Sequence, residues 1–256
     1  MPNGVEVRRD GAIAVVVFDR GEQGGFLDHD ALEAFRRATL PLADSPPRVV
    51  VLQSSGPDFG RGLAIDARNP TYEQLHQLVA RGDLYGVQER LKLLRQALDG
   101  MGRLPCPVIA AVEGRCEGAS FEIALCADLR VVGASARFGL PDVARGILPF
   151  AGGITRLTTL LGAGRAAELL LLGRTLTADA AAQWGLANQV VADGAAADAA
   201  LAVARALCAA TPTALTQTTI AMRAATPVAE RGAAVELEGA ARTLIKDLTH
   251  RLSGQG

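Results

Sequence analysis

Cys106 to Asp128 (CPVIAAVEGRCEGASFEIALCAD) decides the fold. Val108 to Val112 is an unbroken apolar run behind a proline, which reads as a strand buried on both faces. EGRCEGAS follows as a loop, and Phe121 to Ala127 as a short apolar helix. At the handover, Gly118 and Ala119 place two small residues where the helix begins. Small side chains let a ligand approach the main chain, and first-turn N–H groups have no intrahelical partner. The helix dipole reinforces such groups, which can hold a developing oxyanion, so the turn predicts an electrophilic carbonyl ligand. Glu122 lies about one turn into the same apolar helix. A carboxylate there is costly unless paired or used; the alternative to a chemical role is a salt bridge or a capping contact to the loop.

Upstream, Val5 to Arg9 and Ile13 to Phe18 flank Asp10-Gly11 with the spacing of a hairpin. From Asp28 a helical period places Leu32, Phe35, Ala38 and Leu42 on one face, ended by Pro46-Pro47. Val49 to Gln53 is a second buried strand. The loop 54–70 after it contains Phe59 to Ala64 (FGRGLA), whose glycines allow a tight, exposed backbone where α/β proteins place function. A long amphipathic segment is expected from about Thr71 to Met101. Downstream come a strand at Leu129 to Val132, a short one at Arg137-Phe138, and the Pro/Gly-rich turns LPDVARGILPFAGG. Asp142 follows Pro141 there, where an Asx-turn is the ordinary explanation. From Gly152 the chain is helical and Ala-rich, with Thr177 as N-cap of Ala178 to Trp184 and a short strand at Gln189 to Val191. Repetition of strand, loop and helix at buried positions predicts an α/β layer fold. The expected division is a core over 1–192 and a C-terminal helical region over 193–256, with helices near 195–210, 213–225 and 228–252.

Composition narrows the chemistry. The chain of 256 residues has 26 basic and 27 acidic side chains, a net charge of −1 and 4% aromatic residues, so it offers neither a basic field for phosphates nor a stacking surface for bases. No nucleic-acid partner is expected. No apolar run approaches the roughly 18 residues of a membrane span. Residues 1–11 show no export pattern, so the expectation is a soluble, cytoplasmic protein with no membrane partner. Cys106, Cys116 and Cys126 match neither a metal-ligand pair nor a disulfide framework, and read as reduced, buried small residues. With three histidines and no GxxxxGK[ST] or GxGxxG motif, no metal, nucleotide-hydrolysing or dinucleotide site is expected.

Read together, these stretches resemble the crotonase superfamily of enoyl-CoA hydratases and isomerases. The matching series is Cys106–Gly114, the glycine turn with Glu122, Ala127–Arg130 (ADLR), Phe138–Asp142 (FGLPD), Gly146–Gly153 (GILPFAGG), Arg174–Ala178 (RTLTA) and Trp184–Val190 (WGLANQV). It extends over most of residues 5–192. The resemblance implies a ββα spiral core with a C-terminal helical appendage. It implies an acyl-CoA thioester substrate held between two backbone N–H groups, which by position are those of Leu63 and Ala119. Arg61, Gly62, Gly118 and Pro141 would contact that substrate, with no cofactor beyond its coenzyme A. The acids of the hydratases fall on Glu122 and Asp142, the second one methylene shorter than the usual Glu. The family's A-G-A-D-like loop reads Arg61-Gly62-Leu63-Ala64, with Asp66 two residues later. A homotrimer or dimer of trimers is implied, its C-terminal helices packed against a neighbour.

Hydration of a 2-enoyl-CoA is the favoured reaction, with Δ3-Δ2 enoyl-CoA isomerisation and catalytically idle acyl-CoA binding as alternatives. A serine hydrolase using Ser120 with His29, His76 or His250 is a further reading, although GASFE lacks the last glycine of a nucleophile elbow.

Overall fold

Along the central strands successive side chains enter two different buried cores, so the sheet is covered on both sides. The computed structural model describes residues 4–19, 25–64, 72–225 and 230–252; Asp66 lies outside them. With strands numbered in chain order, the main sheet runs β1 (Val5–Asp10), β2 (Ile13–Phe18), β3 (Val49–Ser54), β4 (Val108–Val112), β6 (Leu129–Gly133), β9 (Gln189–Val191). β1 and β2 form the expected antiparallel hairpin, and the other neighbours are parallel. β5 (Arg115–Glu117), β7 (Arg137–Gly139) and β8 (Leu176–Thr177) form a second sheet.

Ala14, Val16, Val50, Leu52, Val108 and Ala110 enter the larger core with α1 (His29–Thr39) and α4 (Leu84–Gly102). Ile13, Val15, Val49, Val51, Ile109 and Ala111 pack instead with α8 (Ala196–Cys208). Ala196, Ala200 and Ala204 make a fully buried stripe at helical spacing, and their small size lets α8 lie close to the sheet.

Several local expectations are corrected or refined. The stretch from Thr71 to Met101 is two helices, α3 (Tyr72–Ala80) and α4, because Asp83 caps α4 by accepting from the Gly86 N–H at 2.9 Å. The first helix stops at Thr39, and Pro41 opens a separate α2 (Pro41–Asp44) before Pro46-Pro47 is reached. After β4, part of the expected loop is β5, bridged at Cys116 to Gly60, and α5 (Gly118–Ala124) begins three residues earlier than Phe121. α6 (Gly153–Leu170), α7 (Ala178–Trp184) with its Thr177 cap, α9 (Pro212–Ala225) and α10 (Glu230–Leu252) complete the chain. α10 packs on α3, α4 and α6 of the same chain. Its small Ala240 and Ala241 are buried there, with Leu237, Leu244 and Ile245 against the same core.

Cys106, Cys116 and Cys126 are buried and unlinked, and burial raises each thiol above its ordinary pKa. Among the described residues no single helix is long and apolar enough to cross a membrane, and no three His, Cys, Asp or Glu gather to hold a metal.

Arg130 fastens α5 to the frame. It is 3% exposed, and burial pulls its pKa down to about 10. Its guanidinium donates to the carbonyls of Leu186 (2.5 Å) and Ala127 (2.6 Å), tying the end of the α5 turn to the segment before β9. Arg130→Met strands those buried carbonyls and is expected to cost about 2–4 kcal/mol in urea unfolding. A loss below about 0.5 kcal/mol would show that the carbonyls find other partners.

Candidate active site

The loop after β3 is stitched between two neighbours. On one side Phe59 and Gly60 donate to the carbonyls of Glu113 (2.8 Å) and Arg115 (2.9 Å), and Glu117 donates back to Gly60 (2.9 Å). On the other, Arg61 donates to Gly25 and Leu27 to Gly62, both at 2.8 Å. Glycine is required at two points of this seam. Gly62 has φ +81°, and a Cβ on it would lie 3.1 Å from the Glu117 carbonyl and 3.3 Å from the Ala119 nitrogen. Gly118 has φ +52° and faces the Gly62 Cα across the same contact. The two turns therefore touch main chain to main chain, and Leu63 and Ala119 line one pocket beside the contact. Neither N–H has a hydrogen-bond partner among the described residues.

That pocket encloses about 600 Å³, part of it open to solvent. Its walls are apolar: Leu75 of α3, Leu91 of α4, Ala240 and Leu244 of α10, and Ile147, Leu148 and Phe150. Gly62, Leu63, Gly118 and Ala119 line it, as do Glu122, Asp142 and Arg145.

Glu122 is 2% exposed. Its Oε1 accepts from the N–H groups of Ala151 and Gly153, both at 2.9 Å, at the start of α6. A Cβ on Gly153 would lie 2.8 Å from that oxygen, so glycine is what admits the carboxyl. Oε2 makes no hydrogen bond among the described residues. The capping contact foreseen as the alternative to a chemical role is thus present, yet it engages only one oxygen. Burial pushes the Glu122 pKa up to about 8, the charge of Asp142 adds to this, and the two N–H groups oppose it.

Asp142 is 8% exposed and precedes a 3-10 turn, Val143–Arg145. Its carbonyl accepts from Arg145 (2.9 Å) and Ile147 (3.0 Å), so the main chain holds the turn. Its side chain does not cap the turn, and Oδ2 is buried without a partner among the described residues, unlike an Asx-turn residue. Burial raises its pKa to about 6 against the charge of Arg145.

Six of the eight residues singled out from sequence, Gly62, Leu63, Gly118, Ala119, Glu122 and Asp142, come together here. Arg61 and Pro141 are not among the lining residues, and the Arg61 guanidinium lies 4.8 Å over the Phe26 ring. Ser120 is corrected as a nucleophile. It is 2% exposed, its Oγ accepts from the Gly62 N–H at 3.1 Å, and among the described residues no histidine lines the pocket. Sequence reasoning missed Arg145, although it lies between two motifs it used. It also missed the contribution of α10, because residues of a helix more than 100 positions away carry no local signal of where they pack.

Ser120 also fills the space left by the missing side chain of Gly60, where a Cβ would meet Ser120 Oγ at 2.2 Å. Gly60→Ala is expected to destabilise by about 1–3 kcal/mol. Adding Ser120→Gly should recover at least about 1 kcal/mol of that in a double-mutant cycle by urea unfolding. Simple additivity of the two changes would contradict the close contact.

The enoyl-CoA hydratase/isomerase family matches residues 8–252. A short-chain-enoyl-CoA hydratase of Clostridium acetobutylicum is 33% identical over 196 residues, 74% of this chain and 69% of that one. A mevalonyl-coenzyme A hydratase of Beauveria bassiana is 50% identical over 88 residues, 34% of this chain and only 31% of the relative's length. The crystal structure of an enoyl-CoA hydratase/isomerase from Mycobacterium paratuberculosis superposes with a TM-score of 0.86 at 22% identity, covering 100% of this chain and 99% of that one, a likeness of fold. The chain belongs to the enoyl-CoA hydratase/isomerase family.

Proposed function

We propose that the protein hydrates a 2-enoyl-CoA thioester. What carries this reading is the convergence, in one apolar pocket, of two unpartnered main-chain N–H groups and two buried carboxyls whose pKa values are pushed apart. A thioester carbonyl oxygen placed between the Leu63 and Ala119 N–H groups becomes an electron sink for the conjugated double bond. The relatives named for CoA hydratases support the same substrate class.

The pKa separation assigns the proton work. Near neutral pH Asp142, at about 6, is ionised, and Glu122, at about 8, keeps its proton. Asp142 removes a proton from water as the water oxygen bonds to C3, and the electron pair of the double bond moves to the thioester oxygen. The enolate then collapses, and C2 takes the proton of Glu122. Water's hydroxyl ends on C3, a proton ends on C2, and the proton held by Asp142 passes back to Glu122. With one oxygen of Glu122 tied to Ala151 and Gly153, the proton to be delivered resides on Oε2. No cofactor is needed beyond the coenzyme A of the substrate. Double-bond isomerisation needs one carboxyl only, and the single-methylene reach of Asp142 favours testing it alongside.

The pH profile of kcat/KM follows with its sign. Activity requires Asp142 ionised, so it rises through pH about 6, and Glu122 protonated, so it falls through pH about 8. Asp142→Asn should remove the rising limb from the residual activity, and Glu122→Gln the falling limb. Each should lower hydration by about 100- to 10,000-fold, with CoA-ester binding kept within about tenfold. The measurement is mass-spectrometric uptake of ¹⁸O from labelled water across a panel of saturated and unsaturated CoA esters. Unchanged turnover in Glu122→Gln contradicts the assignment. Asp142→Asn that still isomerises without hydrating assigns two-acid chemistry to hydration alone.

A further inference from the structure

α10 supplies a third buried carboxylate next to the pocket, used by none of the steps above. Glu236 is 3% exposed, and both of its oxygens are engaged by the start of α6. Oε2 accepts from the Gly152 N–H at 2.8 Å, and Oε1 from the Thr155 N–H at 2.8 Å and from the Thr155 hydroxyl. The pattern interleaves with that of Glu122. Along three consecutive residues, the N–H groups of Ala151 and Gly153 go to Glu122 and the N–H between them goes to Glu236. The peptide that presents two donors to Glu122 is therefore held from its other side by a side chain of α10. Ala240 and Leu244, one and two turns further along α10, line the pocket itself.

We propose that Glu236 is a positioning residue for the reaction, which fixes the 151–155 cradle of Glu122 and makes α10 part of the catalytic unit of its own chain. The geometry leaves little freedom for another role. Glu236 is buried, its partners are main-chain and hydroxyl donors, and those donors flank the ones that aim Glu122. Arg156 completes the cradle from α6, donating to the Ala151 carbonyl at 2.6 Å and standing 3.8 Å from Asp99 of α4.

The charge of Glu236 also reaches Glu122 and adds to the upward shift of its pKa. The other charge acting on Glu122 is that of Asp142, with Arg145 beside it on the 3-10 turn; Arg156 and Asp99 act on Cys126. Cys126 is neutral, its thiol raised by burial. Removing the charge at 236 alone should therefore lower the Glu122 pKa, an effect that lost packing would not produce.

Two variants separate position from charge. Glu236→Gln removes the charge and sets an amide N–H₂ or a misplaced oxygen against the donors. Glu236→Asp keeps the charge but withdraws it by one methylene. In protein labelled with ¹³C at glutamate carboxyls, without substrate, Glu236→Gln should move the Glu122 titration down, and Glu236→Asp should leave it near the parent value. In turnover of a 2-enoyl-CoA, both should lower kcat by roughly 10- to 100-fold with KM within about threefold. The turnover arm rests on the hydratase reading; the NMR arm does not, so a parent enzyme inactive on every enoyl-CoA overturns that reading and leaves the second arm standing. An unshifted Glu122 titration in folded Glu236→Gln overturns the proposed link between the two carboxyls. A kcat within twofold of the parent in Glu236→Asp overturns the positioning role, and does so even where the Gln variant fails to fold.

Discussion

Two stretches of main chain can touch only where side chains are absent, and the contact of Gly62 with the Gly118–Ala119 turn is the constraint on which the rest of the site depends. It joins the loop after β3 to the start of α5, so the ends of two parallel strands share one surface. A side chain at either glycine would part the turns and separate Leu63 from Ala119. The surrounding bonds serve this contact. β5 pairs with the loop at Gly60, Ser120 accepts from Gly62, and Arg130 holds the far end of the α5 turn. A serine in this turn is thus a brace rather than a nucleophile.

Proton chemistry depends on a second backbone device. The start of α6 offers its free N–H groups to two carboxylates, and the split between them leaves Glu122 with one oxygen tied and one available. Burial then sets the energetics: it raises both Glu122 and Asp142, and Glu122 further because a second carboxylate is near. Two acids in one apolar pocket cannot both ionise cheaply, and the one with the less favourable surroundings keeps its proton.

Much of this was legible in the sequence. VIAAV and VVVLQ could be read as strands buried on two faces because every residue is apolar, and Gly118-Ala119 as a close-approach turn because both residues are small. Glu122 drew notice because a carboxylate in FEIALCA has no other comfortable place. What escaped notice depended on contacts distant in sequence. Nothing local in Arg115–Glu117 announces a strand, which exists because it pairs with Arg137–Gly139 and is bridged at Cys116 to Gly60. Nothing around Glu236 distinguishes it from Glu238, two residues on, which pairs on the surface with Arg242 while Glu236 is buried. The break between α3 and α4 was visible in principle, since Gly82-Asp83 is a stop followed by a cap, but the amphipathic period on both sides obscured it.

In the proposed hydration, main-chain N–H groups polarise the substrate carbonyl. Isotope-edited infrared difference spectroscopy of an acyl-CoA carrying ¹³C at the thioester carbonyl, bound to the protein, tests it most directly. A carbonyl polarised in this way has its stretch at lower frequency than in water, and the shift diminishes when Gly62→Ala parts the two turns. A bound carbonyl absorbing where it does in water, or a shift indifferent to that substitution, would contradict it.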